Sequence, residues 1–231
     1  MTPYYDDAGV TIYHASALDV LPSLGLVDCV ITDPPYSGRT HEGHDSGARA
    51  GRDGSSRKGL GYAAWSMADV TKNVPAFCAA CRGWVVVMTD HVLAMPIQAA
   101  MEASGRYAFA PLPWYVPGSR VRLVGDGPSS WTAWIVVSRT SAQHRWGTLP
   151  GGYMQRGNQL HMGGKPEELM AALVADYSRP GDLVLDPYMG SGTTLAAAKR
   201  LGRRAIGIEI DERACEIAAK RLAQGALPLE F

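Results

Sequence analysis

Apolar residues along this chain fall into short runs closed by Asp, Thr, Pro or Gly, and the runs alternate with stretches whose apolar positions recur every three or four residues. The runs predict strands at 10–14, 28–32, 83–89, 107–115, 131–138, 182–186 and 204–209, where β-branched and aromatic residues cluster. The helical spacing predicts helices over 68–81, 166–177 and from about Thr193 to 201. Strands alternating with helices argue for an α/β fold: a mainly parallel, doubly wound sheet with helices on both faces. The two late strands that follow one another without an intervening helix, 107–115 and 131–138, predict an antiparallel edge hairpin.

Two strand ends carry unusual chemistry. The run Cys29-Val30-Ile31-Thr32 delivers Asp33-Pro34-Pro35-Tyr36, and Leu183-Val184-Leu185 delivers Asp186-Pro187-Tyr188-Met189-Gly190-Ser191-Gly192-Thr193-Thr194. Both strings fall at the carboxyl edge of the predicted sheet, where open α/β folds bind ligands, so two substrates are expected there.

In the downstream string the glycines allow a tight turn and a close backbone approach before a helix starts near Thr193. A second strand then ends in Glu209, some twenty residues on, where dinucleotide folds place an acid that accepts from ribose hydroxyls. A phosphate-binding P-loop needs Lys and Ser or Thr after its second Gly, but here the first Lys is Lys199. A nicotinamide-type turn wants a third Gly where Leu195 stands. An adenosine carrying a methionine tail, S-adenosylmethionine, suits a cradle with ribose acceptors and no phosphate grip better than either, and a glycine-rich turn with no ligand is the bland alternative.

In the upstream string two prolines fix φ and remove two donors, leaving a stiff array of acceptors. The Asp33 carboxylate and the Pro34 carbonyl suit the two hydrogens of an exocyclic amine, and Tyr36 offers a face on which a base can stack. A proline-rich turn with a surface tyrosine is the plain structural reading.

Taken together, the two strings resemble the amino-methyltransferases of DNA that modify adenine N6 or cytosine N4, which carry an Asp/Asn/Ser-Pro-Pro-aromatic motif and a Asp-Pro-Phe-x-Gly-Ser-Gly-Thr-Thr-like loop. The order, amine motif first and cofactor loop last, resembles their permuted beta class, with its permuted Rossmann-like fold. Gly164-Lys165-Pro166-Glu167-Glu168-Leu169 is similar to a third family segment that lines the methionine end of the cofactor. The resemblance runs from about Val10 to Leu222 and implies Asp33, Pro34, Pro35 and Tyr36 as catalytic residues. It implies Lys165, Asp186, Pro187, Tyr188, Gly190, Ser191, Gly192, Thr193 and Glu209 as cofactor-binding residues. S-adenosylmethionine is the implied cofactor and DNA the implied partner, with adenine N6 ahead of cytosine N4 because Asp at the first motif position is commoner in the adenine enzymes; an RNA substrate is the neighbouring alternative. Outside this class stands a non-catalytic nucleic-acid-binding or nicotinamide-binding α/β protein. Where many relatives have Gly-Asp after the first strand, with the Asp on the cofactor's adenine, this chain has Ala15-Ser16, and Tyr188 replaces the usual Phe.

Composition adds bounds. The 231 residues suggest one methyltransferase domain, 1–231, and the segment from Arg139 to Gly164 is too short for a separate target-recognition module. No run approaches membrane-spanning length and the start lacks a secretion signal, so a cytoplasmic protein without a membrane partner is expected; a homodimer is compatible with the sequence. Twenty-two basic and twenty-two acidic residues cancel, so a DNA surface has to come from distribution: Arg39, Arg49, Arg52, Arg57 and Lys58 in one stretch, Arg120, Arg122, Arg139, Arg145 and Arg156 in another. His41-Glu42-Gly43-His44 has the wrong spacing for a zinc helix, and Cys78 and Cys81 lack a second pair, so no metal is expected and packing is the reading of the cysteines. Asp90 and His91, at the end of the strand beside the Asp33 strand, are read as helix-capping or pocket residues. Residues 37–62, rich in Gly, Ser, Arg and His, predict a mobile loop that contacts the DNA backbone. Limited proteolysis with and without DNA checks this: cleavage within 37–62 should fall when DNA is added, and unchanged cleavage counts against it.

Overall fold

The computed structural model describes residues 1–38, 40, 63–116, 131–140, 148–154 and 165–223. Ten strands among these residues form one sheet: β1 (Tyr5–Asp7), β2 (Val10–His14), β3 (Val27–Thr32), β4 (Cys81–Thr89), β5 (Tyr107–Ala108), β6 (Leu112–Val116), β7 (Trp131–Arg139), β8 (Tyr153–Met154), β9 (Leu183–Asp186) and β10 (Arg204–Glu209). Their order is β1-β2-β10-β9-β3-β4-β7-β6-β8, with β5 also on β7. The five strands from β2 to β4 in this order are mutually parallel, and β7 turns antiparallel against β4 and β6.

Alternating side chains build two apolar layers, one on each face of the sheet. On β4, Trp84, Val86 and Met88 join one cluster while Val85 and Val87 join the other. The first layer is covered by α4 (Glu167–Tyr177), α5 (Thr193–Arg200) and α6 (Glu212–Ala223); the second by α1 (Ala17–Val20), α2 (Met67–Ala80) and α3 (Ala94–Ala103). Helix α2 starts where Ser66 and Asp69 cap each other, the Asp69 carboxylate accepting the Ser66 N–H at 2.8 Å. Helix α4 begins one residue later than its spacing predicts, because Pro166 has an extended ψ of 136° and serves as N-cap. No helix among the described residues is long and apolar enough to cross a membrane.

The edge hairpin differs in detail from its expected form. Ala108 lies opposite Ser138 and Leu112 opposite Ile135, so three residues of the first strand face two of β7, and the predicted 107–115 strand is split by a bulge. Pro111 lies in that bulge, where its missing N–H costs no ladder bond. Strands β1 and β8 were not anticipated; with three and two residues they are too short to show a period.

The chain leaves β3 toward β4 on one side and β9 toward β10 on the other, although β3 and β9 are neighbours. Such a reversal opens a crevice at the carboxyl ends. Its register is set by Val30 opposite Leu185 and is fastened at the other edge by Asp28, whose carboxylate accepts the Leu183 N–H at 2.9 Å and pairs with Arg82 at 2.6 Å. On β10 a Cβ at Gly207 would collide with Met189 Sδ and stand 2.6 Å from Leu195 Cδ2, so a larger residue would force these two buried side chains, which seat the turn after β9 against the sheet, to shift. Gly207→Ala should therefore cost about 1–3 kcal/mol of stability through overpacking, read as a lowered midpoint in thermal or urea unfolding.

Candidate active site

Extending the β3/β9 register beyond the sheet brings Asp33 out beside the start of the 186–194 turn. The two strings, remote in sequence, thus emerge side by side at the carboxyl edge, and Asp33 is close enough to contribute electrostatically to Asp186.

On the upstream wall Pro34 is buried and Asp33 half-buried. Asp33 Oδ2 forms an ion pair with the Lys165 ammonium, which also lies 4.8 Å from the centre of the Tyr36 ring. Asp33 Oδ1 is buried and has no hydrogen-bond partner among the described residues. The exit of this loop is fixed twice. The Tyr36 carbonyl accepts the Trp65 N–H at 3.0 Å, and Asp90 Oδ2 accepts the Ser37 N–H at 2.9 Å, the Ser37 hydroxyl at 2.5 Å and the Thr40 hydroxyl at 2.6 Å. The other Asp90 oxygen accepts the Val92 and Leu93 N–H groups at 3.0 and 3.1 Å. Asp90 thus holds the turn before α3 with one oxygen and the loop after Tyr36 with the other; the N-cap of α3 is Leu93, and Asp90 is not among the residues that line the cavity at the ends of β2, β9 and β10. Its carboxyl is held below the ordinary range because these donors outweigh a large opposing cost of burial.

On the downstream wall Gly190 and Gly192 take φ of +50° and +77°, and a Cβ at Gly192 would stand 2.8 Å from Ala218 Cβ. Glu209 ties the turn down: Oε2 accepts the Gly190 N–H at 2.9 Å, and Oε1 accepts the Ile210 and Asp211 N–H groups at 2.8 and 2.9 Å. A small cavity, about 80 Å³, opens at the ends of β2, β9 and β10, lined by Ala15, Ser16, Ala17, Pro187, Tyr188, Glu209 and Ile210. Of the residues expected to bind a cofactor, Pro187, Tyr188 and Glu209 line it. Asp186, Gly190, Ser191, Gly192 and Thr193 belong to the same turn, and Lys165 stands instead against Asp33 and Tyr36. Ala15 and Ser16, where the family resemblance led to an expected Gly-Asp, fall on the cavity wall and put small side chains there.

Tyr188 links the walls. Its hydroxyl donates to Asn73 Oδ1 at 3.0 Å, and its ring meets the Trp65 ring edge-on at 5.3 Å. Burial pushes its phenol up to about 12. Trp65 and Asn73 carried no sequence signal; one lies just past a Gly-rich stretch and the other is an ordinary polar position on a helix.

Several expectations lie outside the described residues: residue 39 and 41–62 of the expected mobile loop, His41 and His44, and every cation named for the DNA surface except Arg139. Arg139 is a correction. It ends β7, which runs antiparallel to β4, so it stands at the amino edge, stacked on Tyr107 at 5.1 Å, away from the cleft. All four cysteines are buried, and Cys81 opens β4 instead of closing the helix; burial pushes its thiol up to about 11.

Residues 129–220 match the family model described as DNA methylase, of the N6/N4 type. This segment is similar to the DNA methylase family and makes up less than half of the chain. It runs from β7 to α6 and includes Lys165 and the whole Asp186–Thr194 turn, while the Asp33 motif precedes it. Over 70 residues the chain is 44% identical to the type II methyltransferase M.HinfI of Haemophilus influenzae, covering 30% of this chain and 20% of that protein. Over 58 residues it is 50% identical to the type II methyltransferase M2.DpnII of Streptococcus pneumoniae, covering 25% and 22%. The matched stretches thus span about a fifth of the length of these relatives. Among solved structures, M1.HpyAVI in complex with SAM superposes with a TM-score of 0.69 at 22% identity, over 92% of this chain and 99% of that one. The cytosine-N4-specific PvuII DNA methyltransferase gives 0.71 at 16%, over 99% and 90%. The DNA methylase fold therefore extends over the Asp33 half as well.

Asp186 is fully buried at the cleft, and desolvation raises its carboxyl from 3.8 to about 7 against the opposing pull of Thr194 and of the Tyr188 N–H at 3.1 Å. A raised folded value means the native state holds this proton more tightly than the unfolded chain, so the stabilisation is complete below about pH 4 and is lost as pH climbs through 7. Asp186→Asn removes the titration. Its unfolding free energy relative to wild type should rise between pH 5 and pH 8 in chemical denaturation, and a flat difference would mean that the carboxyl ionises freely.

Proposed function

We propose that the protein transfers a methyl group from S-adenosylmethionine to an exocyclic amine of a DNA base, adenine N6 in the first place. The observation that carries this reading is the emergence of 33–36 and 186–194 side by side at the β3/β9 crevice, with a buried, open Asp33 oxygen on one wall and a cavity bounded by Glu209 on the other.

The residues present suit the cofactor. Glu209 reaches the cavity; its Oε1 already accepts two backbone N–H groups, and its Oε2, which accepts one, retains a lone pair for a ribose hydroxyl. Ala15, Ser16 and Ala17 leave room for a flat ring, the two left-handed glycines bring main chain close, and Asp186 brings a carboxyl to the tail side. When bound, the cofactor supplies a methyl group on a positively charged sulfur. The rest is positioning by this chain's own groups. Asp33 Oδ1 accepts one hydrogen of the amine and the Pro34 carbonyl the other, which turns the nitrogen lone pair toward the cofactor wall; the proton that the methylated amine sheds leaves toward Asp33. The target amine is inaccessible inside a duplex, so the base is extruded at a cost of about a few kcal/mol, and stacking on Tyr36 returns about 1–3 kcal/mol of it.

DNA as the substrate is supported by where the undescribed segments are rooted. Thr40 and Trp65 flank 41–62 beside the cleft, Val116 and Trp131 pair beyond the carboxyl end of β4, and Met154 and Lys165 flank 155–164 at the same edge. These segments carry Arg49, Arg52, Arg57, Lys58, Arg120, Arg122 and Arg156, the cations a phosphate backbone requires. Adenine is preferred on the Asp of the first motif, since an acceptor pair by itself treats the two amines alike.

Incubation with unmethylated DNA and labelled cofactor, then digestion and mass spectrometry of nucleosides, tests the proposal. N6-methyladenine is expected; N4-methylcytosine would keep the transfer and change the base, and DNA without any modified nucleoside would end the reading. Asp33→Ala should keep cofactor affinity and lose turnover, by about 100-fold or more as expected for lost positioning. Asp186→Ala should weaken cofactor affinity itself in calorimetry.

A further inference from the structure

Lys165 holds the upstream motif, and its chain neighbour Glu167 is tied to the downstream half. The Lys165 ammonium holds Asp33 Oδ2 and sits over the Tyr36 ring, the side chains of the ion pair being only 14% and 20% exposed. Two residues on, Glu167 is ion-paired to Arg200 at 2.9 Å and to Arg221 at 3.0 Å, and Arg221 donates to Thr193 Oγ1 at 3.1 Å, at the end of the downstream turn. Pro166 between them fixes the direction in which the chain enters α4. The Lys-Pro-Glu segment is therefore anchored on the helices of the downstream half and reaches across to the upstream motif.

The terminal torsion of an aspartate is broad and two-fold, so an untethered carboxylate exchanges its oxygens. Here the exchange is broken by the cation: Oδ2 is engaged, and Oδ1 is left buried with no partner among the described residues. We infer that Lys165 is a positioning residue for methyl transfer, orienting Asp33 through Oδ2 so that Oδ1 meets the amine, and setting the tilt of Tyr36 from the side opposite the stacked base. The inference rests on the proposed function for the identity of the amine; the clamp on Asp33 stands apart from it. It also differs in consequence from a role at the methionine end of the cofactor, which would move cofactor affinity.

Full-length Lys165→Met and Lys165→Arg separate the two. The Met variant should bind S-adenosylhomocysteine within about twofold of wild type by calorimetry, while its single-turnover rate on unmethylated DNA falls about 10–100-fold, the range for a catalytic group moved by about an ångström. The Arg variant, which keeps a cation for the carboxylate, should recover most of that rate. Cofactor affinity lost tenfold or more in the Met variant, with an unchanged rate at saturating cofactor, would overturn the inference. A second measurement needs no turnover. In thermal unfolding of wild type, Lys165→Met, Asp33→Asn and the double variant, the effect of Lys165→Met should largely vanish in the Asp33→Asn background; equal effects in both backgrounds would also overturn it. A wild-type protein that leaves DNA unmodified but shows this coupling would count against the proposed function and not against the clamp.

Discussion

The parallel contact of β3 with β9 is the constraint on which the site depends. Only two residue pairs of the ladder define it, Cys29 with Val184 and Val30 with Leu185, and the Asp28 carboxylate extends it by taking the Leu183 N–H. A shift of one residue would turn every side chain of a strand to the other face. It would also move Asp33 relative to Asp186 by about 3.3 Å, more than a hydrogen bond can absorb. Fixing the register at the amino edge with Asp28 and Arg82 leaves the carboxyl edge free for loops that need not pair. That is why a Pro-Pro sequence, without donors, is tolerated immediately after a central strand.

Bringing two strand ends together also brings two carboxyl groups together, in different surroundings. Asp33 is paired with a cation. Asp186 has no ion pair among the described residues; it is fully buried, and desolvation, with a lesser push from Asp33, holds its proton up to about 7. Adjacent acids in different surroundings are a common way to obtain two chemical roles from one residue type. Here one carboxyl is paired with a cation and the other is held by burial and by its hydrogen-bond donors.

The strand ends were legible in the sequence because their signal is local: an apolar run closed by Asp-Pro is visible without a partner. The Gly190-Ser191-Gly192 turn was legible for the same reason, as was the ambiguity of Asp90, whose position at a strand end fits both a cap and a pocket. The bulge at Phe109–Pro111 was not, since one extra residue shows only against the partner strand. Nor was the role of Trp65, which acts through its backbone N–H on Tyr36 and its ring on Tyr188, contacts that depend on where a long insertion returns. Arg139 was misplaced for a related reason: its charge is evident, but the edge of the sheet on which it falls depends on the antiparallel sense of β7.

In this chain the Asp33 motif comes early and the 186–194 turn late, so the connectivity of the backbone does nothing to hold them at a fixed distance. The sheet does so at the level of main chain, but strands fix Cα positions and leave side-chain directions open. Three groups fix what the strands leave open: Trp65 spans Tyr36 and Tyr188, Asp90 holds the loop after Tyr36, and Lys165 holds Asp33. Of these only Lys165 comes from the segment that matches the DNA methylase family. The segment that carries the 186–194 turn thus also carries, in Lys165, a hold on the Asp33 motif, and the direction of the Asp33 side chain is set from the far end of the sequence rather than by its own loop.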